Sequence, residues 1–276
     1  MTTADPDAIK REIEPFLPLR ELQITAFTDS MLLRNTETGA CGQASCLFIE
    51  WKGTAYAVSC HHTLAELQEY IVGAKRLKGK AIKEDDTHEV APLRLLGSDE
   101  TLDLALFDLN GLTLLNIPKR AYSLSESRID LKTTTKHLGG GAFIHGVPGF
   151  GTRGTQYDDG LVFLKCPIYS AYGPIVEVYE DLIVADFAEM ELSELNDKDF
   201  PYLKDLEPTG GTRNLSGMSG SGLWVICNGG FVLLGILLGP TEDNRAKIEH
   251  RIRFTPVWKL IKWLEQLELS EQEFVT

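Results

Sequence analysis

Positive charge is scarce in this sequence: 27 Lys and Arg stand against 40 Asp and Glu, giving a formal net charge of −13 and a pI near 4.9. A phosphate backbone needs a basic face, so nucleic acid is disfavoured and not expected as a partner, and an anionic membrane surface is disfavoured for the same reason. The one basic cluster, Lys75-Arg76-Leu77-Lys78-Gly79-Lys80, reads as a solvated loop of an acidic protein. Long apolar runs are also missing. None approaches the roughly 18 residues of a membrane helix, and the best, residues 231–238, has the length of a strand. Residues 1–10 lack the basic start and apolar core of a secretory leader. Cysteines are few and odd in number (Cys41, Cys46, Cys60, Cys166 and Cys227) and form no CxxC pair, which suits reduced, buried thiols rather than a disulfide framework. Acidic residues crowd residues 188–207 without the fixed carboxylate spacing of a calcium loop, so that segment reads as a solvated loop or insertion. These absences predict a soluble, cytoplasmic protein with no membrane partner; the chemistry of the motifs that follow requires no metal or other cofactor.

Enough apolar material is present, 43% of 276 residues, to bury a core as one or two compact domains. Residues 1–20 read as a short N-terminal helix with an acidic first turn, Asp5-Pro6-Asp7. Strand patterns follow at Leu22-Gln23-Ile24-Thr25-Ala26-Phe27, Ser45-Cys46-Leu47-Phe48-Ile49-Glu50-Trp51 and Thr54-Ala55-Tyr56-Ala57-Val58, with Lys52-Gly53 as a hairpin signal between the last two. Leu64-Ala65-Glu66-Leu67 looks helical, and Val90-Ala91-Pro92-Leu93-Arg94-Leu95-Leu96 is a further strand. Residues 111–138 are mixed and polar, a crossover between two halves. Beyond it strands are expected at Leu161-Val162-Phe163-Leu164, Ile175-Val176-Glu177-Val178-Tyr179, Asp181-Leu182-Ile183-Val184-Ala185, residues 230–238 and Arg251-Ile252-Arg253-Phe254. Thr255-Pro256 then opens a last helix, Thr as N-cap and Pro in the first turn, with Val257, Leu260, Ile261, Leu264 and Leu267 on one apolar stripe. A literal GxGxxG at Gly149-Phe150-Gly151-Thr152-Arg153-Gly154 is preceded by Pro148 and followed by turn residues rather than a helix, so it is not a dinucleotide fingerprint.

The chemistry centres on Gly217-Met218-Ser219-Gly220-Ser221-Gly222, which leads into the apolar run Leu223-Trp224-Val225-Ile226. A serine between glycines sits where the backbone turns tightly and a substrate can come close. Serine is a weak nucleophile until a base takes its proton. A glycine-serine cluster alone is usually a plain turn. Two other stretches supply what it lacks. Ala57-Val58-Ser59-Cys60-His61-His62 is a strand ending in histidine, and Asp103-Leu104-Ala105-Leu106-Phe107 is an aspartate opening an apolar strand. Histidine, aspartate, serine is one of the chain orders of the acyl-transfer triad.

From about residue 40 onward the sequence resembles the trypsin/chymotrypsin-like serine peptidases, in the divergent form common in bacteria. His62 stands at the family's T-A-A-H histidine, Asp103 at its D-[IL]-A-[LV] aspartate and Ser219 at its G-x-S-G serine. The resemblance implies an all-β fold of two antiparallel barrels with a C-terminal helix, here behind a short N-terminal helix. Residues 1–20 would form the extension, 21–120 the barrel with His and Asp, and 121–276 the barrel with Ser and the last helix. His62 would act as general base, in preference to its neighbour His61, and Asp103 as its orienting carboxylate. The backbone N–H groups of Gly217 and Ser219 would form the oxyanion hole, and the substrate would be a protein or peptide.

Departures carry implications too. Met218 occupies the position where digestive members keep the aspartate that pairs with a freshly cut N-terminus, so activation by that ion pair is not expected. Gating by a regulatory partner or effector is the corresponding expectation. Arg213 matches the base of the specificity pocket and would favour an acidic side chain over a basic one, whereas Leu237, Leu238 and Gly239 match an apolar wall. Two other classes compete. A catalytically silent binding module of the same fold would usually have lost a triad member, and all three are present. An α/β-hydrolase needs Gly-x-Ser-x-Gly on a strand–turn–helix with histidine last, whereas here Ser221 replaces the second glycine and a strand pattern follows.

Overall fold

A computed structural model describes residues 11, 24–35, 37–38, 41–64, 69–72, 91–109, 120–124, 130–147, 153–156, 162–165, 169–187, 217–227, 230–238 and 251–273. The first half builds β1 (Thr28–Arg34), β2 (Cys41–Trp51), β3 (Thr54–Ser59), β4 (Glu69–Val72), β5 (Ala91–Asp99), β6 (Leu104–Asp108) and the short β7 (Tyr122–Ser123). Their order is β1-β4-β5-β6-β3-β2-β7, and the additional β1–β2 pairing closes the first six into a ring. Every pairing in that ring is antiparallel, while β7 runs parallel to the end of β2. The β2–β3 connection is the two-residue turn foreseen at Lys52-Gly53. Both residues have positive φ, 49° and 83°, the conformation whose twist matches a tight hairpin.

The second half contributes β8 (Gly141–Gly146), β9 (Arg153–Gln156), β10 (Val162–Lys165), β11 (Tyr169–Val178), β12 (Ile183–Asp186), β13 (Gly222–Cys227), β14 (Gly230–Leu237) and β15 (Arg251–Pro256). Six of them close a barrel in the order β11-β12-β15-β14-β13-β8, and β9 and β10 form a separate hairpin. Helix α1 (Leu131–Thr135) precedes this barrel, capped by the Asp130 carboxylate accepting from Thr133 N–H at 2.7 Å. Helix α2 (Val257–Glu273) follows it.

Alternation along β2 explains how the barrels share a core. Ala44, Cys46 and Phe48 pack with Met31, Leu33, Ala57, Ala105 and Phe107 in one cluster. Leu47, Ile49 and Trp51, on the other face of the pleat, join a larger cluster that is continuous with the second barrel and with Val257, Leu260 and Leu264 of α2. Strand β2 is buried on both faces over Ala44–Ile49, which is why Cys46-Leu47-Phe48-Ile49 is a continuous apolar run. Trp224 is fully buried between the halves, stacked on Phe27 with centroids 5.9 Å apart and meeting Tyr122 edge-on at 5.2 Å.

Several local expectations are corrected. The strand pattern at 22–27 is not a strand where it is described: Phe27 N–H donates to Ile24 O at 2.9 Å and Thr25–Phe27 forms a 3₁₀ turn. Burying Ile24 and bringing Phe27 onto Trp224 outweighs the local alternation, and β1 starts at Thr28. Glu69–Val72, not read as a strand, pairs with both β1 and β5. Thr155 and Gln156, read as turn, belong to β9. Thr255 does not cap the last helix, because its hydroxyl donates to Leu102 O of the first barrel at 2.6 Å and the helix starts at Val257. The expected N-terminal helix over 1–20, the basic loop over 75–80 and the acidic 188–207 segment lie outside the described residues, save Arg11. Among the described residues no helix is long and apolar enough to cross a membrane.

Helix α2 also reaches back to the first barrel. The Trp51 indole N–H donates to Glu268 Oε1 at 2.8 Å, Lys52 pairs with the other carboxylate oxygen, and its ammonium lies 5.2 Å from the Trp51 ring centroid. The Lys52 hydrogen bond, then its charge and the indole N–H, hold the Glu268 carboxyl below its ordinary range against the opposing pull of partial desolvation. A lowered carboxyl pKa stabilises the fold above the unfolded value and loses that contribution as pH falls through the folded value. Glu268→Gln should therefore lower the melting temperature at neutral pH. The difference from wild type should shrink below the ordinary glutamate pKa of 4.5 and with added salt.

Candidate active site

His62 lies in the 3₁₀ turn His61–Leu64 that ends β3. The turn is tied down locally, with Thr63 N–H and Oγ1 both donating to Cys60 O, at 3.3 and 2.6 Å. Asp103 occupies the residue before β6 and has φ +51°, a left-handed conformation that aspartate tolerates better than most residues. Asp103 N–H donates to Glu100 O at 3.3 Å, and Asp99 Oδ1 accepts from Leu102 N–H at 2.8 Å. The two residues meet twice. Asp103 Oδ1 accepts from the His62 backbone N–H at 2.8 Å, and Oδ2 lies 2.7 Å from His62 Nδ1. On the other side of the ring His62 Nε2 is 3.0 Å from Ser219 Oγ. Exposure rises outward: Ser219 is 7% exposed, the Asp103 side chain 22% and the His62 side chain 44%.

Ser219 sits in a loop bounded by Gly217 and Gly220, with φ of +86° and +89°, positions that a side chain would strain. Ser221 N–H donates to Met218 O at 2.9 Å, Gly220 N–H to Leu237 O at 3.2 Å and Ser45 N–H to Ser219 O at 3.0 Å. Gly217 and Ser219, expected as oxyanion donors, thus flank one buried residue, Met218, in a loop fixed from several sides. Leu237 has its side chain in the core, and its carbonyl accepts from Gly220 N–H and from Cys60 Sγ–H, the latter at 2.9 Å. Leu238 is half-buried and donates from its N–H to Arg253 O at 2.9 Å. Arg213 and Gly239 lie outside the described residues.

Burial, and then the Asp103 charge, raise the Cys60 thiol well above its ordinary pKa. Donor atoms of Cys60, His62 and Asp103 lie within 4.8 Å of one another. Within the chain these groups are already engaged with one another and with the backbone: the Cys60 thiol donates to Leu237 O, and Asp103 Oδ2 faces His62 Nδ1. Cys60 is a fully buried thiol beside the site, tied to the second barrel through Leu237 O. One residue with no assigned role in the sequence, Ser45, touches the loop directly. Its only sequence signal is its place at the end of the small-residue stretch Gly42-Gln43-Ala44-Ser45.

Two antiparallel barrels with histidine and aspartate on one and serine on the other define the trypsin-like double-barrel fold, and the chain has it. The structure named HL collagenase superposes with a TM-score of 0.52 at 13% identity, covering 87% of this chain and 92% of that one. The HtrA-type protease AlgW with tripeptide matches at 16% identity and TM-score 0.48 over 88% of this chain, which spans 60% of AlgW's length. The Rv3671c protease from M. tuberculosis, in its active form, matches at 12% identity and TM-score 0.46, covering 96% of this chain and 88% of that one. No protein-family model matches the chain, and no curated protein does.

Proposed function

We propose that the protein is a serine endopeptidase that hydrolyses peptide bonds of protein or peptide substrates through His62, Asp103 and Ser219. The observation that carries the proposal is the unbroken hydrogen-bond line from Asp103 Oδ2 through His62 to Ser219 Oγ, at 2.7 and 3.0 Å, ending at a serine in a glycine-bounded turn. In this reading residues 21–120 supply base and carboxylate and residues 121–276 the nucleophile.

Ser219 Oγ attacks the substrate carbonyl carbon while its proton passes to His62 Nε2, and Asp103 holds the Nδ1 proton and stabilises the imidazolium. The carbonyl oxygen takes up negative charge facing the N–H groups of Gly217 and Ser219, each donor supplying about 3–4 kcal/mol of transition-state stabilisation. Collapse breaks the C–N bond, His62 returns the proton to the departing amine, and the acyl group stays on Ser219. Water then repeats the sequence, giving its proton to His62 and releasing the acid. A regulatory partner, in this reading, acts on the approach of substrate, because the triad's hydrogen bonds are already made.

The test is labelling with a fluorophosphonate probe, which bonds covalently only to an activated serine. Wild type should label, Ser219→Ala should not, and His62→Ala should fall to a trace. A folded wild type that stays unlabelled would overturn the peptidase reading in favour of a binding module on the same fold.

A further inference from the structure

Ser45 belongs to β2 of the first barrel, yet two of its polar groups reach the second. Its side chain is fully buried. Its Oγ accepts from Val147 N–H at 2.9 Å and donates to Gly217 O at 3.0 Å, with Val147 O, at 3.3 Å, the longer alternative acceptor. Its N–H donates to Ser219 O at 3.0 Å, and its own carbonyl accepts from Ser59 Oγ at 2.8 Å. The slot around the hydroxyl is made by a glycine: a Cβ on Gly146 would stand 2.9 Å from Ser45 Oγ and 1.8 Å from Ser221 Oγ.

Three successive peptide planes carry the loop from Gly217 to Gly220, and each is held by an outside or cross-loop bond. Ser45 Oγ holds the Gly217–Met218 plane, Ser221 N–H the Met218–Ser219 plane, and Ser45 N–H together with Leu237 O the Ser219–Gly220 plane. The Gly217–Met218 plane matters most for chemistry. It is the spacer between the peptide that bears the Gly217 N–H and the peptide that bears the Ser219 N–H, so its rotation sets the angle between the two donors. Glycine at 217 puts up little resistance to such rotation. Met218, buried and without a hydrogen-bonding group of useful strength, cannot anchor the plane itself.

We propose that Ser45 is a positioning residue: its hydroxyl, reaching across from the first barrel, locks the Gly217–Met218 peptide so that the Gly217 and Ser219 N–H groups converge on the oxyanion. The proposal rests on Ser219 being the nucleophile, and it places control of the oxyanion hole in the opposite barrel. Any change that shifts β2 against the nucleophile loop alters reactivity without touching His62 or Asp103.

Ser45→Ala keeps both backbone bonds and removes only the hydroxyl. Small misplacements of a reacting constellation cost up to about 100-fold, so the second-order rate of fluorophosphonate labelling per folded molecule should fall roughly 10- to 100-fold. The pH dependence of labelling should keep its midpoint, since the imidazole and its carboxylate are unaltered. Ser45→Thr, which retains the hydroxyl, should recover most of the rate, and Ser45→Cys, with its weak donor in the same place, should fall between. Amide exchange gives a readout independent of activity: the Gly220 and Ser221 N–H groups should exchange faster in Ser45→Ala, while those of β6 and α2 stay unchanged.

A residue that merely stabilised the fold would lower the melting temperature and leave both the per-molecule rate and the local exchange pattern as in wild type. That outcome overturns the proposal while the peptidase reading stands. If folded wild type does not label at all, the peptidase reading falls instead. Exchange in the loop then decides alone, faster in Ser45→Ala supporting the lock and unchanged overturning it.

Discussion

Asp103→Asn is expected to lower turnover by about 10⁴-fold at neutral pH with little loss of fold, because it leaves the ring in the wrong tautomer. The direction follows from the two contacts Asp103 makes with one residue. Its Oδ1 accepts from the His62 backbone N–H at 2.8 Å and its Oδ2 faces Nδ1 at 2.7 Å. An asparagine has one acceptor and one donor end, and the backbone N–H can only donate, so the amide oxygen must turn towards it. The amide NH₂ is then delivered to Nδ1, which has to accept. A neutral imidazole that accepts at Nδ1 carries its proton on Nε2, where it points at Ser219 Oγ and cannot take that hydroxyl's proton. The backbone contact therefore selects the inactive tautomer. Asp103→Ala, which dictates no tautomer, should be less damaging relative to its loss of contacts than the isosteric change. Single-turnover acylation rates together with urea denaturation check this. Asp103→Asn within tenfold of wild type would mean that Asp103 does not orient the base.

How much of this could be read from the sequence depends on how local each cause is. Histidine and aspartate each adjoin a short apolar strand, β3 and β6, so their motifs survive in a few neighbouring letters. The left-handed φ of Asp103 does not, because it comes from the turn that presents the carboxylate to His62. Ser45 was visible only as one small residue among several. Its partners Val147 and Gly217 lie 102 and 172 residues away, and nothing in a window of sequence reports a contact at that range. The same holds for Ile24 to Phe27, whose alternation suits a strand while the core and the Trp224 stack impose a turn. Strand β4 is four residues long, too short for periodicity to register, and it is specified by the β1 and β5 edges on either side. Thr255 carries a cap signal in sequence, but the neighbouring barrel's Leu102 carbonyl claims the hydroxyl. Where local signal and tertiary demand compete, the buried contact between barrels prevails.

Gly220 sits at another such contact between the barrels, and replacing it should carry a large cost. A Cβ there would stand 2.2 Å from Ser45 O, 2.7 Å from Ser59 Oγ and 3.0 Å from Ser59 Cα, on a backbone with φ +89°. Two of those atoms are main chain of the first barrel, so rotamer adjustment gives no relief. Gly53 supplies the control, since its φ is +83° but its Cβ would meet nothing within 4 Å. Gly53→Ala thus isolates the backbone cost, about 1–3 kcal/mol for a residue forced into a sparsely populated region. Gly220→Ala adds steric overlap between the barrels and should reach about 4 kcal/mol or more, in the range that marks a named structural fault. If the chain avoids that cost by moving the loop, the loss appears in function: Ser219 Oγ leaves its 3.0 Å contact with His62, and labelling falls by about 100-fold or more in a protein that still melts cooperatively. Chemical denaturation and labelling rate, measured on both alanine variants, separate these routes. Equal stability and equal labelling of the two variants would mean that the nucleophile loop does not press against β2, and the cross-barrel lock at Ser45 would lose its mechanical basis with it.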